Sequence, residues 1–528
     1  MPQDMYPAGS LKQHSIWHNE QPPEPCAVVI FGATGDLTQR KLLPTLAHLF
    51  KDHPLQQPFS VVAVARRPMN HDQWREMALR SINTYMPEHD KMDEATQRAF
   101  AACLFYCQTD FSDREGYTRL ADLLDQLDHE QGTQGNRIFY LATPPDTDTE
   151  IIYHLGGSGL ARPSHENGNG DESWTRLIIE KPFGHDLASA QKLNRELGRV
   201  FRENQIYRID HYLGKETVQN ILALRFGNGI FEPLWNQKYI DHVQILVAES
   251  LGIGSRASYY EGSGAIRDIV QNHIFQILCL VAMEPPGDFD PTAIQDEKVK
   301  VLRALRPLSP QEVTQRTVRG QYATGTIDGQ AVLGYKDEQG VASMSTTESY
   351  VALKLFIENW RWADVPFYIR TGKRLPTRTT EVTIQFKRVP HQLYKATETR
   401  GLVPNRLTLR IQPDEGVSLK IGAKVPGAAR QLSSVDMNFS YASAFGVESP
   451  EAYERLLADC MVGDSTLFIR RDEVESSWRI VDSITDAWRN MPASTIVSYP
   501  AGTWGPEDAD ALIEKDGRTW ANPNRINI

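Results

Sequence analysis

The feature that most restricts the fold is a series of short apolar segments in the first 200 residues, each separated from the next by a helical pattern. The segments are rich in β-branched or aromatic residues and lack polar alternation: residues 26–31, 59–65, 103–107, 137–142 and 176–179. Such segments suit strands that are covered on both faces, as in a parallel sheet. The intervening segments, such as residues 187–201, carry apolar residues at helical spacing. The pattern predicts a doubly wound, Rossmann-type α/β domain.

The pattern changes after about residue 210. We expect one long helix over residues 264–283, followed by strands that alternate or are strongly β-prone over residues 350–357, 380–386, 406–411 and 417–421. This predicts a larger α+β domain with a big antiparallel sheet, and a chain that ends in two helices near residues 451–460 and 474–488. The predicted division is a loose N-terminal tail over 1–25, the α/β domain over 26–210 and the α+β domain over 211–528.

Composition and cysteine usage narrow the class of partner. The formal net charge of −11 argues against nucleic acid or an anionic membrane as the main partner. Five cysteines without a CxxC pattern predict reduced thiols in a cytoplasmic protein and no zinc or other metal site. No apolar stretch approaches the roughly 20 residues that a membrane helix needs, so we predict no membrane partner.

Two glycines follow the first predicted strand directly. Gly32 and Gly35 allow the backbone to approach a pyrophosphate, whose charge is favoured at the N-terminus of the next helix. A purely structural turn would use the same glycines, and the third glycine of the usual fingerprint is absent. The position after the first strand favours a dinucleotide. Pro44 predicts that the helix either begins late, near Lys41, or is kinked.

Two arginines, Arg66 and Arg67, follow the second predicted strand. An NAD site usually has an acidic residue there, whereas arginine suits the 2′-phosphate of NADP. Because exposed arginines at strand ends are also common, this prediction depends on the glycine loop.

The densest polar cluster is residues 208–215, which open a predicted helix. His211, Tyr212 and Lys215 offer hydrogen-bond donors beside a helix N-terminus, an arrangement that suits a phosphate monoester. The alternative is a polar loop with a helix cap. Lys181 follows a buried strand, where it can point into a ligand crevice or into solvent. The basic loop over 370–378 is similarly either an anion site or a solvated loop.

One histidine, His273, lies within the apolar stripe of the predicted helix over 264–283 and points toward the interior. Most such histidines are core residues whose hydrogen bonds are satisfied. A functional role as a proton acceptor requires a carboxylate that orients the ring.

Taken together and in this order, these motifs resemble the glucose-6-phosphate dehydrogenase family. The resemblance covers about residues 27–488 and depends most on the eight-residue segment 208–215; further matches are residues 32–37, 180–183, 266–273 and 372–373. It implies a homodimer or homotetramer that oxidises glucose 6-phosphate at C1 to 6-phosphogluconolactone with NADP. That reaction is the first oxidative step of the pentose phosphate pathway.

The resemblance also implies a role for individual residues. His273 would be the catalytic base and Asp210 the carboxylate that orients it. His211, Tyr212 and Lys215 would hold the 6-phosphate. The remaining substrate contacts would be Lys181, Glu249, Asp268, Lys373 and Arg378. The residues implied for NADP are Gly32, Ala33, Thr34, Gly35, Asp36, Leu37, Arg66, Arg67 and Lys181. The family often has an aromatic residue after the Pro-Pro of the cofactor loop, and residues 144–148 lack it.

Two other classes of protein share part of the pattern. A sugar dehydrogenase of the glucose–fructose oxidoreductase or inositol dehydrogenase type also combines these domain types and carries Glu-Lys-Pro, but it needs no phosphate cluster. A catalytically silent NADP-binding regulator would be expected to lack the base or its partner, and both Asp210 and His273 are present.

Overall fold

The computed structural model describes residues 23–52, 58–161, 173–391, 404–428, 430–445 and 450–523. Most of the predicted tail over residues 1–25 therefore lies outside the described residues.

The described residues contain two large sheets and one small hairpin. Their strands are β1 (Cys26–Phe31), β2 (Phe59–Ala65), β3 (Leu104–Gln108), β4 (Arg137–Leu141), β5 (Thr175–Ile179), β6 (Ile206–Ile209), β7 (Ile240–Ala248), β8 (Thr317–Ala323), β9 (Gly325–Ile327), β10 (Gln330–Val332), β11 (Tyr350–Phe356), β12 (Pro366–Gly372), β13 (Thr379–Phe386), β14 (Arg406–Gln412), β15 (Gly416–Lys424), β16 (Leu432–Ser440), β17 (Phe468–Ile469) and β18 (Ile496–Pro500).

Helices connect and cover these sheets. The α-helices are α1 (Leu43–Asp52), α2 (His71–Tyr85), α3 (Glu94–Ala102), α4 (Arg114–Gln131), α5 (Pro145–Gly157), α6 (Leu187–Val200), α7 (Glu216–Phe226), α8 (Ala257–Ala265), α9 (Phe275–Ala282), α10 (Pro291–Ala304), α11 (Pro310–Arg316), α12 (Tyr441–Phe445), α13 (Ala452–Val462), α14 (Arg471–Arg489) and α15 (Glu507–Glu514). Two further segments, Thr38–Leu42 and Ile266–Ile274, are π-helical.

The first sheet has the strand order β17-β6-β5-β4-β1-β2-β3. Strands β1 to β6 pair in parallel, and β17 joins β6 antiparallel. Every residue of β1 is buried, and alternate residues belong to two separate hydrophobic clusters, one on each face of the sheet. This is the arrangement of a doubly wound domain, as predicted from the unbroken apolar segments.

The second sheet has the order β16-β15-β14-β13-β7-β12-β11-β8-β18. Its pairs are antiparallel except β7 with β12 and β8 with β18. On one face, Val243, Ile245 and Val247 of β7 belong to the same cluster as the apolar residues of α9. The predicted α+β architecture is therefore confirmed.

The predicted helix over 264–283 is not one continuous α-helix. Gly264 has φ 64° and ψ 175°, which separates α8 from the next helical segment. Residues Ile266–Ile274 then form a π-helix, and α9 continues the axis. The apolar spacing of this segment fits both helix types, so the sequence does not distinguish them.

For the helix after the glycine loop, the structure excludes the late start that was one of the two alternatives predicted from Pro44. The helix begins at residue 36 rather than near Lys41 and is π-helical over Thr38–Leu42, where the amide of Leu43 bonds the carbonyl of Thr38. The wider turn accommodates Pro44, which has no N–H and whose ring meets the carbonyl four residues earlier in an α-helix.

The C-terminal part of the chain returns to the first sheet. Strand β17 pairs with β6, and Leu456, Leu457 and Phe468 belong to the same hydrophobic cluster as Val28 and Ile30 of β1. The prediction that the chain ends in two helices is wrong, because β18 and α15 follow α14. In the part of the chain that the structure describes, no helix is long and apolar enough to span a membrane. The domain boundary near residue 210 stays a prediction.

Candidate active site

A buried histidine and carboxylate form the centre of the site. Asp210 follows β6 directly, and His273 lies in the π-helix Ile266–Ile274; each side chain is 1% exposed. Asp210 Oδ1 accepts a short hydrogen bond from Nδ1 of His273 and another from the amide of Tyr212 at 3.0 Å. Because Nδ1 faces the carboxylate, Nε2 of His273 faces away from it, toward the other polar groups of the site.

The charges of this pair depend on its surroundings. Burial raises the pKa of Asp210. The neighbouring His273, His211 and Lys181 lower this pKa by more than burial raises it, so the pKa lies below its usual value. Burial lowers the pKa of His273, Asp210 opposes this effect, and the ammonium of Lys181 lowers the pKa again. The pair therefore consists of a carboxylate and a neutral imidazole that is able to accept a proton.

Lys181 connects the histidine to a second carboxylate. Its Nζ lies 2.9 Å from Nε2 of His273, 3.0 Å from the carbonyl oxygen of Asp268 and 3.4 Å from Oδ1 of Asp268. Lys181 comes just after β5, and its peptide bond to Pro182 is cis. The ends of β5 and β6 thus bring Lys181 and Asp210 to the same edge of the parallel sheet.

The π-helix explains how one lysine reaches both Asp268 and His273. These residues are five apart, and in an α-helix they would be separated by about 140° around the axis. In a π-helix the hydrogen bonds run between residues five apart, so side chains at that spacing lie nearly above one another. The helix type therefore determines which groups meet at the centre of the site.

The predicted phosphate residues lie against the histidine. The rings of His211 and Tyr212 have their centroids 4.7 and 4.3 Å from that of His273. Burial and the adjacent His273 hold the pKa of His211 well below its usual value. His211 therefore contributes a neutral hydrogen-bond donor rather than a charge.

Positive charge at this place comes from Lys215 and Arg378. Lys215 precedes α7, bonds the side-chain oxygen of Gln412 and lies 4.5 Å above the ring of Tyr212. Burial, followed by the positive charge of Arg378, lowers the pKa of Lys215 to about 8. Two cations that repel each other in this way are stabilised by an anion placed between them.

Lys373 and Glu249 occupy the ends of the neighbouring strands β12 and β7. Nζ of Lys373 lies 2.6 Å from Oε2 of Glu249. Burial raises the pKa of Asp268, but the charges of Lys181 and Lys373 reverse the effect, so the pKa is lower than usual. Lys373 and Glu249 thus belong to the same polar centre as Asp268.

The glycine loop lies at the carboxyl end of β1. Gly32 has φ 78°, and a Cβ on it would be 2.5 Å from the carbonyl oxygen of Ala142. The amides of Gly32 and Ala33 bond the carbonyl of Val64, and the amide of Gly35 bonds that of Gly32. The amides of these three glycine-loop residues are thus already bonded. The amides that remain able to bond a pyrophosphate are those in the first turn of the helix that begins at residue 36, because they lack intrahelical partners. Thr34, Asp36 and Leu37 lie next to that turn.

A cavity of about 680 Å³ opens at the ends of β2 and β3. Arg66 lines it together with His71 and Arg119, whereas Arg67 does not belong to the lining. Arg66 also carries its charge close to Asp110, whose pKa is lowered mainly by hydrogen bonds from Ser112 and slightly by Arg66. The lining of this cavity also contains the carboxylates of Asp110 and Asp113.

A metal ion is an alternative occupant of the centre. Ligand atoms of Asp210, His211 and His273 lie within 4.8 Å of one another, in the one such group found among the described residues. The Asp210–His273 hydrogen bond uses two of these groups, and the ammonium of Lys181 lies on the third side. This charge distribution favours a proton over a metal cation.

Several residues of the site carry no signal in the sequence. The amide nitrogen of Gln412 donates to Tyr212 Oη at 3.1 Å and to Thr380 Oγ1 at 2.9 Å. The Tyr259 hydroxyl donates to Asp268 Oδ1 at 3.4 Å. Gln412 follows Tyr212 by 200 residues, so no local pattern in the sequence predicts that the two side chains meet.

The doubly wound sheet, the glycine loop after its first strand and the polar centre at the same edge define a dehydrogenase that uses a nicotinamide dinucleotide. Residues 29–220 match the family model for the glucose-6-phosphate dehydrogenase NAD binding domain, and residues 222–521 match that for the C-terminal domain. The chain therefore belongs to the glucose-6-phosphate dehydrogenase family.

Curated relatives and solved structures agree with this assignment. The chain is 48% identical over 498 residues to the glucose-6-phosphate 1-dehydrogenase of Chlamydia pneumoniae, covering 94% of this chain and 96% of the relative. It is 46% identical over 505 residues to that of Bacillus subtilis, covering 96% and 99%. A solved glucose-6-phosphate dehydrogenase in complex with its substrate glucose-6-phosphate superposes with a TM-score of 0.84 at 32% identity, covering 96% of this chain and 100% of that one. These matches support this family and not the glucose–fructose oxidoreductase type.

Proposed function

We propose that the protein oxidises glucose 6-phosphate at C1 to 6-phosphoglucono-1,5-lactone, with NADP as the hydride acceptor, in the first oxidative step of the pentose phosphate pathway. The observation that carries the proposal is the Asp210–His273 pair. The Nε2 of His273 lies beside Lys181, and its ring lies against His211 and Tyr212, the residues next to the cation Lys215. A base next to a phosphate pocket suits a phosphorylated alcohol better than a neutral sugar.

The chain's own contribution to the chemistry is the movement of one proton. Asp210 holds the Nδ1 proton of His273, so the lone pair of Nε2 is available to the C1 hydroxyl of the sugar. In the structure the ammonium of Lys181 donates to this lone pair. When the sugar binds, its C1 hydroxyl replaces Lys181 as the donor to Nε2. The imidazolium that forms lies against the Asp210 carboxylate, which stabilises the charge as it develops.

The other polar groups orient the sugar phosphate. Lys215 and Arg378 supply the charge for the 6-phosphate, and His211 and Tyr212 supply neutral donors. Lys181, Lys373, Glu249 and Asp268 bond the ring hydroxyls. Because these groups come from both sheets, the sugar is held between the two parts of the chain.

The glycine loop has the shape that a dinucleotide needs. Gly32 has a positive φ and leaves room for the carbonyl of Ala142, so the chain turns tightly from β1 into a helix whose N-terminus favours a pyrophosphate. The residues that would hold NADP are Gly32–Leu37 and Lys181, with Arg66 at the 2′-phosphate and Arg67 beside it. When bound, the nicotinamide ring accepts the hydride from C1.

Self-association is part of the proposal, as a homodimer or homotetramer. Edge strand β16 exposes Val435, Met437 and Phe439 by 41%, 58% and 37%. Their partners on β15 are Ile421, Leu419 and Val417, so the six side chains form one apolar surface at the edge of the second sheet. Such an edge suits an isologous contact with a second copy. A cytoplasmic location is proposed from the five cysteines, all of which are free thiols.

A steady-state assay of both cofactors against a panel of sugars tests the function. We expect the highest kcat/KM for glucose 6-phosphate with NADP, and a much lower one for glucose, inositol and other unphosphorylated sugars. Equal rates with phosphorylated and free sugars would contradict the phosphate pocket. Equal kcat/KM for NAD and NADP would contradict the role of Arg66.

A further inference from the structure

The helix that carries the base begins in an unusual way. Gly264 has a non-helical backbone conformation just before this helix begins. The amides of Ala265 and Ile266 therefore have no helical carbonyl to bond and need another partner. A single residue, Glu348, in the loop just before β11, satisfies both. The backbone oxygen of Glu348 accepts from Ala265 N at 2.9 Å, and its Oε1 accepts from Ile266 N at 3.1 Å.

The contact is specific to the residues that make it. Glu348 is 6% exposed, and a Cβ on Gly264 would lie 2.3 Å from its Oε1. Glycine therefore serves two purposes at this position, because it adopts the positive φ and leaves room for the carboxylate. A carboxylate is also the group that the partial positive charge of a helix N-terminus favours.

Glu348 is itself held by the sheet that carries the other half of the site. The amide of Ser349 bonds the carbonyl of Gly320 at 2.9 Å, and the amide of Lys373 bonds the carbonyl of Ser349 at 3.0 Å. Lys373 in turn bonds Glu249. Glu348 thus connects the start of the helix that bears Asp268 and His273 to the strand ends that bear Lys373 and Glu249.

We propose that Glu348 is a positioning residue for the catalytic base. By fixing the amides of Ala265 and Ile266 at the start of the π-helix, it sets the rotation and axial position of Asp268 and His273 relative to the bound sugar. The proposal rests on the proposed function, because its effect is measured as the rate of glucose 6-phosphate oxidation. Displacement of a reacting group by about 1 Å costs on the order of 10²-fold in rate, so a loosened helix should affect the chemical step more than substrate binding.

The test compares Glu348→Ala, Glu348→Asp and Glu348→Gln with the wild type. We measure kcat, KM for glucose 6-phosphate, the kinetic isotope effect with substrate deuterated at C1, and Tm. Ala and Asp, which cannot reach Ile266 N, should lower kcat about tenfold or more and raise the isotope effect, with KM changed less than about threefold. Gln keeps a side-chain carbonyl and should stay within about threefold of the wild-type kcat.

Asp290→Ala is the matched control. Asp290 Oδ1 caps α10 by accepting from the amides of Thr292 and Ala293 at 2.8 and 3.2 Å, and α10 carries no residue of the site. Its removal should lower Tm without changing kcat or the isotope effect. If the Glu348 variants behave like this control, or if Gln is no better than Ala, Glu348 is structural only and the proposal is overturned. If Ala does not fold, Asp and Gln decide between the outcomes.

A readout that needs no turnover separates this proposal from the proposed function. In protein labelled with ¹⁵N-histidine, the Nδ1 proton of His273 is assigned by its loss in His273→Asn. Glu348→Asp should shift or broaden this resonance, whereas Asp290→Ala should not. A wild type that does not oxidise glucose 6-phosphate contradicts the proposed function, while an unchanged resonance in Glu348→Asp contradicts the positioning role.

Discussion

Replacement of Lys181 by Met should move the acid limb of the pH–rate profile to higher pH. His273 must be neutral to accept a proton, so activity falls as pH drops through its pKa. The Nζ of Lys181 lies 2.9 Å from Nε2, and its charge is one of the causes that lower the pKa of His273, after burial. Without that charge the imidazolium is less disfavoured, and the pKa of the base rises.

The size of the shift can be worked out from the distance. A charge within about 4–6 Å typically changes a pKa by about 1–3 units, and each unit corresponds to about 1.4 kcal/mol. We therefore expect the acid limb of kcat/KM to rise by at least about one pH unit. Because Lys181 is also predicted to contact the substrate, the plateau at high pH should fall as well.

The assay is kcat/KM for glucose 6-phosphate between about pH 5 and pH 9 at saturating cofactor. Lys215→Met is the matched control, because its Nζ lies over the Tyr212 ring rather than on Nε2 of His273. It should lower the plateau and leave the acid limb in place. Lys181→Arg retains the charge and should keep the limb near the wild-type position. An acid limb that stays in place or moves to lower pH in Lys181→Met would refute the reasoning.

Four further predictions concern the base, the phosphate and the cofactor. His273→Asn should lower kcat by roughly 10²-fold or more, the usual contribution of a general base; a loss of less than tenfold in a folded variant would make His273 a core residue. Lys215→Ala should raise KM for glucose 6-phosphate about tenfold to a hundredfold by removing a charge-assisted contact, with little change for free glucose. In the wild type, the lowered pKa of Lys215, about 8, means that its charge is lost as pH rises through that value, so KM should increase on the alkaline side; a flat KM up to pH 10 would contradict this. Replacement of both Arg66 and Arg67 by Ala should weaken NADP binding by ~2–3 kcal/mol and leave NAD nearly unchanged. Of the single variants, Arg66→Ala should have the larger effect, because Arg67 lies outside the cavity. Titration of each variant with both dinucleotides measures this, and an unchanged NADP preference in the double variant would place the 2′-phosphate elsewhere.

Much of the N-terminal fold can be predicted because its signals are local. Strands β1 and β2 are buried on both faces, so their apolar runs, at 26–31 and 59–65, have the same bounds in the structure as in the sequence. Strand β16 could not be predicted in this way. Its burial follows no inside–outside alternation, because it lies at a sheet edge with both faces largely exposed. Strand β17 has only two residues. Only its pairing with β6 defines it as a strand, so its sequence does not predict it.

In the candidate site, too, residues within a local sequence pattern could be predicted and residues defined by distant contacts could not. His273 and Asp210 could be proposed from a stripe and a motif, since each lies in a segment with its own pattern. Gln412 and Glu348 could not, because their roles depend on contacts between segments that lie 200 and 82 residues apart in the chain. The sequence also does not predict that Ile266–Ile274 is a π-helix, since the apolar spacing fits an α-helix equally well. Local periodicity shows which face is buried but not which hydrogen-bond register the helix adopts.

The return of β17 to the first sheet has a consequence for the order in which the protein is made. A chain emerging from the ribosome exposes β1 to β6 long before residues 452–469 are synthesised. Until then the outer edge of β6 has no antiparallel partner, and the hydrophobic cluster under β1 lacks Leu456, Leu457 and Phe468. The nascent first sheet is therefore open to aggregation or to chaperones until that segment has emerged. The dinucleotide-binding part is thus finished only after a segment that follows β6 by more than 240 residues has been made.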